Sequence, residues 1–292
     1  MELVTKEDLR DAYPWTYDRI TYSRVYTSYR KPYPSCSLCV SSVFALHNET
    51  WNIWSHVFGT GLMTYLTIYT FLTVPHVSDR AILCIYTLSS IFTFASSSAY
   101  HTFCCHSDMF CRKVQCMDWF GIILCIASSN LMASYYEIRE FPILFWGFNV
   151  GNVILGIGTY QSIRSSLEKV FLEGSRKGEK KTRLHPVLQI AISITKSYSF
   201  RTIVGILYGL GVLLAWGIGK YYRNDANKRG YGLLSTYGCM STVGLCLLDI
   251  PERFYPRGAL DIVGYSHQWF HWGIVMALWS LWNTYYMYAM QL

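Results

Sequence analysis

The stretch Ser266-His267-Gln268-Trp269-Phe270-His271 carries the densest chemistry in the chain. His267 and His271 are four apart, so on a helix their side chains lie one above the other. That spacing can offer two imidazoles to one metal ion. The run stays apolar to about Met290, which sets the pair near the end of a membrane helix, where polar groups are costly and usually have a partner. A third imidazole, His101, ends Ser97-Ser98-Ala99-Tyr100-His101, and Asp118 stands alone in the apolar stretch from Cys116 to Leu124. Three neutral imidazoles with an open fourth position form the catalytic zinc arrangement. Zinc there lowers the pKa of its water to about 7 and makes it a nucleophile. Asp118 would accept that proton and orient the water without binding metal directly. Ser97, one helical turn before His101, would face the same cavity and bond to the water or to a substrate carbonyl. Such a site suits hydrolysis of an amide or ester of a lipid that enters from the bilayer.

Each of these residues also has a plainer reading. A single histidine at a membrane edge is most often interfacial, and a lone His-x-x-x-His is a weak metal signal. Ser97 is one of three serines in a row, and small residues often serve only close helix packing. Asp118 can pair with Arg112, Lys113 or a helix end. A metal ion that only pins helices together is the middle reading. His106, Cys104, Cys105, Cys111 and Cys116 lie near the same edge, but their spacings match no common zinc signature. Glu49 and His56 fall near the same face and read as structural.

The elements that must position these groups are membrane helices. Of 292 residues, 52% are hydrophobic, 17% aromatic and only 15% charged, against about 25% charged in a soluble domain. With a mean hydropathy of +0.20, this composition points to an all-α integral membrane protein. Seven spans are expected over about Asn52–Val74, Ala81–Phe103, Val114–Tyr135, Phe141–Ile163, Phe200–Tyr221, Gly232–Ile250 and Ser266–Met290. Spans of about 20 residues each would use roughly half of the chain. Residues 1–46 are expected to be a cytosolic tail, with a short amphipathic surface helix within Ser35 to Leu46, and 47–292 the seven-helix domain. Asn48 or Thr50 can cap the first span, with Glu49 favourable at its positive end. Met1 to Arg30 has no signal-peptide core.

Lys and Arg set the orientation. The tail and links 2–3, 4–5 and 6–7 hold 18 of them, the opposite links hold 6, and Arg201 sits at a span edge. The N-terminus is therefore expected in the cytosol and the C-terminus on the extracytosolic side. That arrangement is opposite to a G-protein-coupled receptor. It brings His101, Asp118, His267 and His271 to one depth near the cytosolic side. Cys36-Ser37-Leu38-Cys39 is a lone Cys-x-x-Cys with no second pair of matching spacing, and a role there is not expected. Asn48-Glu49-Thr50 is formally a glycosylation sequon, expected to carry no sugar on the cytosolic side.

These blocks resemble the progestin and adipoQ receptor (PAQR) family, relatives of the hemolysin III proteins, from about Tyr29 to Leu292. The resemblance rests on His47 through His56, on Ser97 through Ser107, on Asp118, on Ile250-Pro251-Glu252-Arg253-Phe254 and on Ser266 through His271. They look closer to the adiponectin-receptor and fungal branch than to the progestin branch. The resemblance implies a seven-transmembrane helix bundle with Zn2+ near the cytosolic leaflet. It maps three zinc histidines to His101, His267 and His271, a water-holding aspartate to Asp118 and a site serine to Ser97. It also implies ceramide hydrolysis, receptor signalling, or membrane-lipid and zinc homeostasis. The expected partners are membrane lipids (ceramide, another sphingolipid or a fatty acid), with an extracellular or steroid-like ligand open and nucleic acid not expected. The alternative is a non-enzymatic receptor or lipid- and zinc-homeostasis regulator with structural zinc. The plasma membrane or an internal membrane such as ER or Golgi fits equally.

Overall fold

The computed structural model describes residues 2–17, 24–175, 210–223, 237 and 248–290. The helices are α1 (Lys6–Ala12), α2 (Pro14–Tyr17), α3 (Cys36–Ser42), α4 (Thr50–Thr73), α5 (Val77–Phe103), α6 (Asp108–Ile138), α7 (Pro142–Ser175), α8 (Gly211–Arg223), α9 (Ile250–Phe254) and α10 (Ser266–Ala289). One departure from an all-α chain is the antiparallel pairing of β1 (Leu3–Val4) with β2 (Tyr29–Arg30).

Local chemistry sets the helix ends. A reciprocal capping box opens α1, with Asp8 N–H donating to Thr5 Oγ1 and Thr5 N–H to Asp8 Oδ2. Val74 is extended because Pro75 follows it, and that stops α4. Pro142 opens α7 at a position where its missing N–H is harmless. The sequence predicts an end to α7 near Ile163, but it runs to Ser175. No proline or glycine interrupts 164–173, so the backbone ladder continues past the apolar stretch. The expected span over 232–250 lies largely outside the described residues, as does 200–209; α8 covers the rest of the span expected over 200–221.

Three helices are long and apolar enough to cross a membrane by length and composition: α5, α6 and the Pro142–Gln161 part of α7. Along α7, Ile143, Trp146, Val150, Val153, Ile154 and Ile157 all face outward. An apolar face of that extent is stable in lipid rather than in water. The protein is a multi-pass membrane protein. At 24 residues each, α4 and α10 also have spanning length, about 36 Å at the helical rise.

The chain divides into two compact units, Met1–Gly121 with Ala226–Leu292, and Ile122–Asp225. In the first, α4 packs along α5, and α10 packs against both. Tyr86 donates to the Leu278 carbonyl at 2.8 Å, and Trp282 to Thr70 Oγ1 at 3.0 Å. Close approach depends on two glycines. A Cβ on Gly59 would meet the Phe94 ring at 2.9 Å, and one on Gly121 would meet Ser96 Oγ at 2.7 Å and the Thr93 backbone at 2.9 Å. In the second unit, Asn130 donates to Asn152 Oδ1, and Asn152 to the Ala127 carbonyl.

The tail builds a small core of Leu9, Val25, Tyr29 and Tyr265. One Asp261 carboxylate oxygen accepts from the Tyr26 and Thr27 amides and from the Thr27 hydroxyl. Arg30 is buried and donates to Ser42 Oγ at 2.8 Å, to the Thr102 carbonyl at 2.9 Å and to the His101 carbonyl. Within Ser35 to Leu46 a short helix, α3, covers Cys36–Ser42, and Leu38, Val40, Phe44 and Leu46 point outward around it.

Candidate metal site

The last turn of α5 carries His101, and the first two turns of α10 carry His267 and His271. One ligand nitrogen from each lies within 4.8 Å of the others. His271 Nε2 and His267 Nε2 are 3.1 Å apart. Two nitrogens on one tetrahedral metal at bond lengths near 2.0–2.1 Å would be about 3.3 Å apart. Among the described residues this is the group of three or more His, Cys, Asp or Glu side chains that could hold a metal ion. Imidazole nitrogen suits zinc, copper, iron or nickel; calcium and magnesium seek oxygen.

The neighbours of the rings decide which nitrogen is free. His101 Nδ1 is 2.8 Å from Glu49 Oε2, and both residues are buried. A carboxylate only accepts, so Nδ1 carries the proton and the lone pair is on Nε2. His271 Nδ1 is 3.2 Å from the Asn52 carbonyl, which also only accepts. Its Nε2 lone pair is therefore the one facing His267. Asn52 Nδ2 also donates to Glu49 Oε2, at 2.6 Å.

Ser97 is buried one turn before His101. Asp118 has Ser97 and His101 as its neighbours. Asp118 is not in the three-nitrogen group. Arg112, one partner the sequence allows it, instead holds Asp108 one turn away at 3.0–3.1 Å. Of the five residues selected from sequence, His101, His267 and His271 meet around one point, with Ser97 and Asp118 on the helices beside it.

Sequence reading missed the outer groups. It treats Glu49 and His56 as structural, yet Glu49 touches His101. The His56 ring stacks on His271 with centroids 3.8 Å apart, and among the described residues neither of its nitrogens has a side-chain hydrogen-bond partner. Glu49 is the N-cap of α4, but its side chain makes no capping bond. Thr50 Oγ1 takes the His47 N–H and donates to the Ala45 carbonyl. The signal was present in the block: a charged Glu at the mouth of an apolar span needs a partner. Other nearby candidates go elsewhere. Cys105 Sγ lies 3.8 Å from Cys39 Sγ, Cys104 contacts Arg30, and His106 contacts Ser107. Cys36 is exposed and Cys39 buried, so the Cys-x-x-Cys residues do not face one partner.

A family pattern described as "Haemolysin-III related" matches residues 44–282. The chain is 30% identical over 259 residues to a progestin and adipoQ receptor-like protein 1 of Caenorhabditis elegans, covering 85% of this chain and 54% of that one. It is 28% identical over 268 residues to the adiponectin receptor protein of Drosophila melanogaster, covering 87% and 53%. It is 29% identical over 296 residues to progestin and adipoQ receptor family member 3 of Homo sapiens, covering 95% and 86%. The chain spans about half the length of the nematode and fly relatives.

Proposed function

The chain belongs to the haemolysin-III related family, alongside progestin and adipoQ receptor proteins, and on that premise we propose a receptor-like membrane protein that hydrolyses a lipid amide of the ceramide class at a zinc site. In this reading the chain has seven membrane helices, a cytosolic tail over 1–46 and an extracytosolic C-terminus, with the site near the cytosolic leaflet. His101, His267 and His271 hold the zinc, and bound there it supplies Lewis acidity toward water and the amide carbonyl. Asp118 takes a proton from the attacking water. That proton passes to the amide nitrogen as the C–N bond breaks, so one water yields a fatty acid and a free amine. Ser97 donates its one O–H to the substrate carbonyl.

The observation that carries this reading is the split between groups. Three imidazole nitrogens converge within 4.8 Å, while Asp118 stays outside that set, beside Ser97. A residue that only binds metal belongs in the set, whereas a proton acceptor belongs next to it. The test is fatty-acid release from ceramide by purified protein, beside Asp118→Asn at matched zinc content. Release by the wild type that falls at least 100-fold in the variant supports hydrolysis.

The second reading is a receptor or lipid- and zinc-homeostasis regulator in which zinc is structural. It is favoured by the ligands coming from two helices, with α4 touching both, so that one ion would clamp all three. Zinc bound with no release from any ceramide would select it. Epitope tags at either end, probed with the membrane intact, check the orientation.

A further inference from the structure

The first turn of α4 supplies none of the three imidazoles, yet it touches two of them. Glu49 Oε2 faces His101 Nδ1 at 2.8 Å, and the Asn52 carbonyl faces His271 Nδ1 at 3.2 Å. We infer that Glu49 is a positioning residue for the metal: its buried carboxylate fixes the His101 tautomer and ring, so that Nε2 is presented to the ion. The inference rests on the proposed metal reading of the site and extends it to a residue outside the ligand set.

Four features carry it. The pair joins two buried groups 52 residues apart, on different helices. The Glu49 side chain makes no capping bond to its own helix, the use an acidic N-cap would ordinarily have. Asn52 Nδ2 donates to the same Oε2 at 2.6 Å, and Asn48 Nδ2 donates to Oε1 at 3.3 Å, so the carboxylate is itself held. Asn52 Nδ2 also donates at 2.6 Å to the Tyr265 hydroxyl, at the start of α10, which ties this carboxylate to the helix carrying the other two histidines. A carboxylate on the far nitrogen of a metal-binding imidazole raises its basicity and locks its orientation.

A neutral amide does neither. The Glu49→Gln side chain accepts more weakly, and its NH2 can donate to Nδ1, which moves the imidazole proton to Nε2 and blocks the ligand atom. The experiment measures zinc affinity by chelator competition for wild type, Glu49→Gln and His101→Ala. Cobalt(II) spectra and metal-free thermal unfolding are recorded in parallel. The expected result is a 10- to 100-fold weaker affinity for Glu49→Gln. An altered cobalt spectrum and little change in metal-free unfolding should accompany it. If Glu49→Gln does not fold, Glu49→Asp carries the test: it keeps the charge but retracts the carboxylate, and the expected loss is smaller. Wild-type affinity in the Glu49 variant, with His101→Ala impaired, overturns this inference alone. Wild type no tighter than His101→Ala overturns the metal reading with it. Absence of ceramide hydrolysis with the affinity loss intact leaves the positioning role standing.

Discussion

Arg30 reaches His101 through the backbone: its guanidinium donates to the His101 carbonyl and, at 2.9 Å, to the Thr102 carbonyl. The C-terminal carbonyls of a helix have no partner within it, and here a buried cation from the tail satisfies two of them at the turn bearing the site histidine. Tail folding and site geometry are therefore one problem.

Arg30→Met should remove those donors and leave two carbonyls poorly paired. Each such group costs about 1–3 kcal/mol, so a loss of roughly 2–6 kcal/mol is expected in denaturant unfolding in detergent. Zinc affinity should fall as well. Arg30→Lys should recover only part, because an ammonium cannot reproduce the forked geometry. Unchanged unfolding and zinc binding in Arg30→Met would separate the tail from the site.

Metal should stabilise the fold by mass action. Zinc at 100 times its dissociation constant is expected to add about 2.7 kcal/mol, seen as a rise in Tm that a chelator reverses. His271→Ala should abolish the rise. A rise of the same size in that variant would place the zinc elsewhere.

Gly121 and Gly61 make a matched pair. Gly121→Ala puts a methyl against Ser96 and the Thr93 backbone, whereas a Cβ at Gly61 meets nothing within 4 Å. Overpacking at the first should cost about 1–3 kcal/mol. Gly61→Ala should be neutral or stabilising by about 0.5–1 kcal/mol, since alanine suits a helix interior better. Thermal unfolding of both distinguishes packing from a general intolerance of substitution. Equal effects would mean that α5 and α6 do not meet at Gly121.

His47 sets a pH dependence. Its Nδ1 accepts the Glu49 N–H at 3.0 Å, and its Nε2 lies 3.1 Å from the Ser42 carbonyl, an arrangement that needs the neutral ring. Burial, with Arg30 nearby, lowers its pKa from 6.5 to about 3. The folded state thus resists a proton that the unfolded chain takes up. The contribution is complete above about pH 6.5 and is lost as pH falls from there toward about 3. Tm should drop over that window, and His47→Gln should flatten the drop. The same slope in both proteins would assign it to other groups.

Much of this protein was legible along the chain. Transfer into a bilayer sums over neighbouring residues, so the membrane class follows from composition. The i, i+4 geometry of a helix is local, so His267 and His271 could be paired before any fold was known. The ends of α10 agree with the expected span to within a residue, because Gly264 and Pro256 interrupt the chain before it. His101, Asp118 and Ser97 stand out as polar groups within apolar runs. Their convergence was a matter of depth only, and depth leaves position in the membrane plane open.

The tertiary structure decided the pairings. Whether Glu49 caps its own helix or meets His101 depends on how far α4 and α5 slide past one another. That register is set by Gly59 against Phe94 and by the packing of α10 on both helices, not by residues near Glu49. Cys39 faces Cys105 rather than Cys36 for the same reason: α3 is positioned by Arg30 and the end of α5. Helical periodicity fixes which side of a helix a residue is on. Only close packing determines which side chain on another helix it meets.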